Sequence, residues 1–187
     1  MIKRTLDWIR LQYWNSNLER KRRFLISQGA QIGEGTRILS SISSFSTEPY
    51  LISIGKNTLL SSNVLLTPHD GGIKVLDDYD KCIEDGGKSY FTEPHDKMGR
   101  IKIGDNCFIG HSAIVLPGVT IGNNVIIGAG SIVSHDVPSD CVAAGVPARV
   151  ICTLDEYYEK NLKKGKFYPT AGLKSNERKD FLKHNVK

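Results

Sequence analysis

A beat of six residues governs this chain. From Ile103 onward the aliphatic positions Ile103, Ile109, Val115, Ile121, Ile127 and Val133 recur without a break. A period of six fits neither a helix stripe at about 3.6 nor a strand alternation of 2 carried on without turns. Hexads made of a short strand and a corner explain it, provided the corner recurs at a fixed offset and tolerates a left-handed backbone. Three residues after the anchors stand Asn106, Ser112, Gly118, Asn124, Gly130 and Asp136. Gly, Asn and Asp are the residues that reach positive φ at least cost, so a second period supports the first. Three hexads per turn make a triangular solenoid whose coils stack at about 4.8 Å, strand on strand. One anchor per face is expected to point inward, and each coil's apolar edge is covered only by its neighbours. The class is all-β, and a β-sandwich, with its irregular turn spacing, is disfavoured.

The same beat extends toward the N-terminus. Ile32 and Ile38 begin it, with Gly35 at the corner offset, and Ile54, Leu60 and Leu66 continue it with Asn57, Asn63 and His69 at the corners. Between the two runs SISSFSTEPY breaks register, and Pro49 argues for an irregular coil there. Leu66 and Ile103 are separated by a polar, Gly-rich stretch without anchors, which reads as an excursion over about 67–100; loops of that length are usually functional or disordered. Residues 1–29 read as an N-terminal helical cap, with Leu6, Ile9, Tyr13, Leu18, Phe24 and Leu25 at helical spacing, Asn15 or Ser16 capping its second segment and Gly29 closing it. The solenoid spans 30–152. A helical tail over 153–187 follows Pro138 and Pro147, neither of which can donate to a ladder.

Charge is uneven. Residues 1–23 carry seven Lys/Arg against two acids and 155–187 carry nine against five, whereas the middle carries nine against thirteen. The basic ends suit a phosphate-bearing ligand or a membrane surface, and Trp8, Trp14, Arg20, Lys21, Arg22 and Arg23 are the residues expected to give a peripheral contact at the inner membrane face. The repeats lack the aromatic and basic interleaving of a nucleic-acid platform. Cys82, Cys107, Cys141 and Cys152 have neither CxxC nor zinc-type spacing and read as reduced thiols of a cytoplasmic protein.

A solenoid offers rigid walls, so a working group is expected where regularity breaks. His69 stands at such a break, in Thr67-Pro68-His69-Asp70, at a corner from which its ring would project outward. Imidazole is the usual general base near neutrality, and Asp70 is a candidate to orient its other nitrogen. The excursion ends on a related tetrapeptide, Glu93-Pro94-His95-Asp96, which makes His95 the alternative base.

The run IGDNCFIGHSAIVLPGVTIGNNVIIGAGSIVSHDVPSDCVAAGVPARVI resembles the core of the hexapeptide-repeat acyltransferases, in the branch of the galactoside and maltose O-acetyltransferases. LLTPHDGG, a loop and IKIGDNCFIG resemble most the bacterial capsule and lipopolysaccharide O-acetyltransferases. The match covers roughly residues 32–152. It implies a left-handed parallel β-helix, a homotrimer with active sites between subunits, and acetyl-CoA as co-substrate with no metal. It implies that His69 takes the proton from an acceptor hydroxyl as that oxygen attacks the thioester. Ala129, Ser134 and His135 would lie along the pantetheine arm and Arg149 near the nucleotide end, where a guanidinium suits phosphate; His111, after Gly110 at a turn, is a candidate to line the groove, and Phe108 is a further cofactor-binding candidate. The sequence departs from the branch at Phe108, where Trp is common. It also has SSISS, with Ser41, Ser43 and Ser44, where an Asn contacts the acceptor. Those departures leave the acceptor open without altering the reaction.

The implied function is acetyl transfer to a hydroxyl of a sugar or cell-surface polysaccharide intermediate. An amino group on a nucleotide-linked sugar is the alternative acceptor, and a non-catalytic scaffold the alternative role. A scaffold would lack both a corner histidine and the GVPARV segment. A zinc lyase on the same solenoid would need about three converging imidazoles, and no two histidines here stand five apart.

Overall fold

A computed structural model describes residues 12–79, 93, 95–165 and 167–186. Two compact units divide the chain at 154/155. In the first, strands of two or three residues wind around three faces. The first face carries β1 (Gln31–Ile32), β3 (Ile52–Ile54), β8 (Ile101–Ile103) and β11 (Thr120–Ile121). The second carries β2 (Arg37–Ile38), β4 (Leu59–Leu60), β9 (Phe108–Ile109), β12 (Ile126–Ile127) and β14 (Cys141–Gly145). The third carries β5 (Leu65–Leu66), β10 (Ile114–Val115) and β13 (Ile132–Val133). All these pairings are parallel and in register: Ile32, Ile54, Ile103 and Ile121 stack on the first face, and Leu66, Val115 and Val133 on the third. The coil is a left-handed β-helix.

The core holds two inward rows per face rather than the one expected. Ile101, Cys107, Ala113, Val119, Val125 and Ser131, each two residues before an anchor, are buried as fully as the anchors. A strand's side chains alternate, so residues i and i−2 share a face. This second row includes polar groups that knit the coils together. Thr58 N–H donates to Thr36 Oγ1 at 3.0 Å, Cys107 N–H donates to Thr58 Oγ1 at 3.0 Å, and Thr58 Oγ1 donates to the Gly104 carbonyl at 2.9 Å. Cys107 and Cys141 are buried free thiols, pushed above the ordinary thiol range by burial; Cys82 lies outside the described residues.

The corners bear out the chemistry of the offset positions. Asn57, Asn63, Asn106, Ser112 and Asn124 have φ between 53° and 59°, and Gly35, Gly118 and Gly130 are also positive. Asp136 and His69 are exceptions, since neither adopts positive φ; Asp136 instead accepts the Thr120 N–H through Oδ1 at 2.7 Å. Corner side chains form a ladder, Asn106 Nδ2 donating to Asn124 Oδ1 and Asn124 Nδ2 to Asp140 Oδ1 at 2.8 and 2.7 Å. Gly104 shows how closely coils approach: a Cβ there would lie 2.6 Å from the Gly122 carbonyl oxygen.

The first coil is irregular on its third side, as the broken register of SISSFSTEPY suggests. Two 3₁₀ turns, Ile42–Phe45 and Pro49–Leu51, replace the strand. The aromatic ring of Phe45 is fully buried, so this side of the coil still fills the core. Ser41 accepts the Ser43 N–H and an Asn15 amide hydrogen, which commits its hydroxyl to the turn.

An uncapped first coil would leave edge carbonyls without partners. Helix α1 (Leu18–Ser27) supplies them, its N-cap being Asn17 rather than Asn15 or Ser16. Lys21 Nζ donates to the carbonyls of Ser40 and Leu39 at 2.6 and 3.3 Å, and Arg22 Nη2 donates to that of Ile32 at 3.0 Å. Lys21 is only 5% exposed, and burial lowers its pKa. Of the basic cluster expected to face a membrane, Lys21 and Arg22 are thus committed to the first coil, while Arg20 and Arg23 stay exposed. Arg20 lies over the Tyr13 ring, Arg23 pairs with Glu19, and Trp14 packs against the core beside Phe24. Trp8 lies outside the described residues. No helix among the described residues is long and apolar enough to cross a membrane.

At the other end, GVPARVI does not simply leave the coil. β15 (Ala148–Thr153) turns back antiparallel on β14 and closes the second face. From α3 (Leu154–Lys163), Tyr158 stacks on Phe167 at 5.5 Å, and α4 (Ser175–Asn185) follows.

Candidate active site

The excursion leaves the solenoid just after β5. Thr67 makes the last in-register contacts there, its N–H and hydroxyl both donating to the Val115 carbonyl at 3.0 Å. Two strands then tie the ends of the excursion together: β6 (His69–Asp70) pairs antiparallel with β7 (Lys97–Met98), His69 opposite Met98 and Asp70 opposite Lys97. α2 (Ile73–Asp78) lies between them. His69 is thus held by an extended ladder, not by the left-handed corner expected of it. Its backbone position is fixed on both sides, by the solenoid before it and by β7 across from it.

The group that orients its ring comes from the irregular first coil. Glu48 Oε2 lies 2.8 Å from His69 Nδ1. The Ser46 hydroxyl lies 3.1 Å from the same nitrogen, and it donates to Glu48 Oε2 at 3.2 Å. Thr47 Oγ1 donates to the other carboxylate oxygen. These contacts hold the Glu48 carboxyl below the ordinary glutamate range, the Thr47 hydroxyl contributing most and His69 next. A carboxylate can only accept, so in the neutral ring Nδ1 carries the hydrogen and Nε2 the lone pair. Ser46 adopts φ 59°, an unfavourable region for a residue with a side chain.

Sequence reasoning missed Glu48, because it sits where the six-residue beat fails and no motif marks it. The candidate it put forward, Asp70, is engaged elsewhere. Its Oδ2 lies 2.8 Å from Lys97 Nζ and its Oδ1 accepts the Gly72 N–H, with the Lys97 ammonium the main cause of its lowered pKa. Asp70 still belongs to the site, because a cavity of about 260 Å³ is lined by Glu48, His69, Asp70, Asp96, Lys97 and Met98 among others. His95 does not line it; its Nδ1 faces the Glu93 carbonyl.

The other candidate residues divide between two edges of the prism. Ser134 and His135, joined by a 2.9 Å contact from Oγ to Nδ1, follow β13 at the corner between the third and first faces. His69 follows β5 on that same side. His111 and Ala129 precede the left-handed Ser112 and Gly130 at the corner between the second and third faces, and both are exposed. Phe108 projects outward from β9 on the second face, 39% exposed. Arg149 lies on β15, with one guanidinium N–H donating to the Ala148 carbonyl at 2.8 Å. Within one chain, then, Phe108, His111, Ala129, Ser134, His135 and Arg149 stand outside the His69 cavity.

Comparison with known proteins agrees with this architecture. Residues 100–135 match the family described as bacterial transferase hexapeptide (six repeats). The chain is 41% identical over 160 residues to protein CapG of Staphylococcus aureus, covering 85% of each. It is 37% identical to the galactoside O-acetyltransferase of Escherichia coli (strain K12), over 73% of this chain and 63% of that one. It is 35% identical to the putative lipopolysaccharide biosynthesis O-acetyl transferase WbbJ of the same organism, over 54% of this chain and 49% of that one. A six-residue solenoid, a hydrogen-bonded imidazole where an excursion leaves it and relatives aligned over most of its length lead to one assignment: the chain belongs to the hexapeptide-repeat acyltransferase family.

Proposed function

We propose that this protein transfers an acetyl group from acetyl-CoA to a hydroxyl of a sugar or cell-surface polysaccharide intermediate, with His69 as general base and Glu48 as the residue that orients it. The observation that carries this reading is the 2.8 Å contact between Glu48 and His69 Nδ1 at the wall of a cavity. The named activities of the galactoside O-acetyltransferase and WbbJ support the choice of oxygen over nitrogen.

The reaction follows from the tautomer. Imidazole cannot strip a free hydroxyl, whose pKa is far above 7, unless proton transfer is concerted with bond formation. As the acceptor oxygen attacks the thioester carbonyl, its proton passes to Nε2 and the carbonyl oxygen takes the negative charge. Glu48 stabilises the imidazolium that forms, in the manner of the third member of a catalytic triad. Collapse breaks the carbon–sulfur bond, the proton on Nε2 passes to the departing thiolate, and ester and coenzyme A leave.

The outward rows favour an assembly, and the divided site favours a shared one. On the third face the outward side chains are Leu65, Ile114 and Ile132, and on the second Leu59, Phe108, Ile126 and Val142, apolar and aligned in register, with Arg37 at the end of that row. On the first they are Gln31, Ser53, Lys102 and Thr120. Apolar ladders on two adjacent faces suit packing against further copies. A homotrimer built on those faces brings the His69 edge of one subunit against its neighbour, whose Phe108, His111 and Ala129 then join Ser134, His135 and Arg149 as the surface for coenzyme A.

The test is release of coenzyme A thiol from acetyl-CoA with pooled neutral sugars, amino sugars and serine, followed by mass analysis of the product. Ester formation on a sugar is expected. Silence with every acceptor, together with no binding of coenzyme A, overturns the proposal, and an amide product moves it to nitrogen.

A further inference from the structure

A second depression adjoins the His69 cavity and differs from it in charge. About 140 Å³ in volume, it lies on the first face and is lined by Gln31, Tyr50, Ser53, Arg100 and Lys102 among others. The two hollows are neighbours along both chain segments that form them. Glu48 lines one and Tyr50 the other, two residues on; Lys97 and Met98 line one and Arg100 the other. Arg100 also ties the segments together, its guanidinium donating to the Tyr50 carbonyl at 3.4 Å.

Their charges are opposite. The His69 cavity carries Glu48, Asp70 and Asp96 against Lys97, and Lys97 is already paired with Asp70. An anionic sugar ring is disfavoured there. The first-face groove carries Arg100 and Lys102 and no acidic side chain, and neither cation has a carboxylate partner among the described residues. Tyr50 is 56% exposed at its rim, an apolar ring with a polar tip beside a groove of amide and hydroxyl groups. The first face is also the one whose outward row is polar, so packing through the two apolar faces leaves this groove open.

We infer that the acceptor is an extended, negatively charged glycan: the reacting hydroxyl sits at His69, and an anionic group set off from it, carboxylate or phosphate, is bound by Arg100 and Lys102, with Tyr50 against an intervening ring. This rests on the acetyltransferase reading above and adds the substrate class to it. A charge-assisted contact of this kind corresponds to about tenfold or more in affinity, and Arg suits a carboxylate or phosphate bidentately.

Binding to the full-length protein decides the matter with three probes measured by calorimetry: chitotetraose, uncharged; a hyaluronan tetrasaccharide, bearing carboxylates; and uridine diphosphate N-acetylglucosamine, bearing a diphosphate. At least one anionic probe is expected to bind about tenfold or more tightly than chitotetraose, and which of the two does so identifies the source of the charge. The preference is expected to shrink in Arg100→Gln and Lys102→Gln, and in the wild type as salt is raised from about 50 to 500 mM. The salt series keeps the test informative should either variant fail to fold. Equal affinity for all three probes, or a preference indifferent to salt, overturns the inference. Coenzyme A binding measured on the same sample separates this failure from that of the acetyltransferase reading, which requires such binding.

Discussion

Glu48 reaches His69 from a coil that has lost its strand, and its carboxylate meets the ring Nδ1 at 2.8 Å. The irregular first coil is therefore part of the site. Gln at position 48 can offer an amide N–H to Nδ1 and so favour the tautomer with its hydrogen on Nε2. Glu48→Gln is expected to lower kcat by roughly 10² to 10⁴, about as much as Glu48→Ala, with the KM for acetyl-CoA little changed. Steady-state kinetics of the two variants checks this, and near-normal turnover in either removes Glu48 from the mechanism.

The lowered pKa of Glu48 has a definite sign. Its carboxyl is depressed on folding, so its contribution to stability is fully present above the unfolded glutamate value of about 4.3 and is lost as pH falls through the lower folded value. The part of the stability difference between the wild type and Glu48→Gln that comes from this carboxyl should shrink as pH falls below about 4. Urea unfolding between about pH 5 and pH 3 measures it; a difference that fails to shrink below about pH 4 contradicts the assignment.

His69→Ala is expected to lower turnover by roughly 10² to 10⁴ while coenzyme A still binds. His95→Ala should stay within a few-fold of wild type, because His95 does not line the cavity. An unchanged rate in His69→Ala with a collapse in His95→Ala would reverse the two roles.

How much of this was legible in the sequence depended on what repeats. Anchors, corners and the excursion followed from a period of six and its interruption. The second inward row, Ile101 to Ser131, obeys the same period and was readable from it, since a strand alternates by two. Glu48 was not readable, because its role depends on a 3₁₀ turn that brings it to a histidine 21 positions later. Asp70 looked the better partner only because it is adjacent. In the antiparallel β6–β7 ladder it faces Lys97, and its carboxylate goes there. The basic N-terminal run looked like a ligand-binding surface for a similar reason: its residue types are visible in the sequence, but the unpaired carbonyls that Lys21 satisfies are not.

The apolar outward ladders give a test of assembly. Ile114 lies between Leu65 and Ile132 on the third face, and a carboxylate there would be stranded in any packed interface. The wild type should sediment as a trimer, and Ile114→Asp as a smaller species with little activity. A monomeric wild type with full turnover excludes the shared site.

Lys21→Met preserves most of the buried stem but removes the ammonium that donates to Ser40 and Leu39. The loss of stability should be about 1–3 kcal/mol. Urea unfolding checks it, and no change would mean that water satisfies those carbonyls as well.

Parallel coils have a hazard that globular folds lack: each terminal rung is a template on which another molecule can add, and growth by addition ends in fibres. In this protein one terminal rung meets an ammonium and a guanidinium from α1, and the other meets a strand running the wrong way. At the N-terminal end α1 thus occupies edge acceptors, and at the other end β15 covers the last strand of the second face. Where α1 lifts away, the carbonyls of Ile32, Leu39 and Ser40 become free acceptors on which another molecule could add.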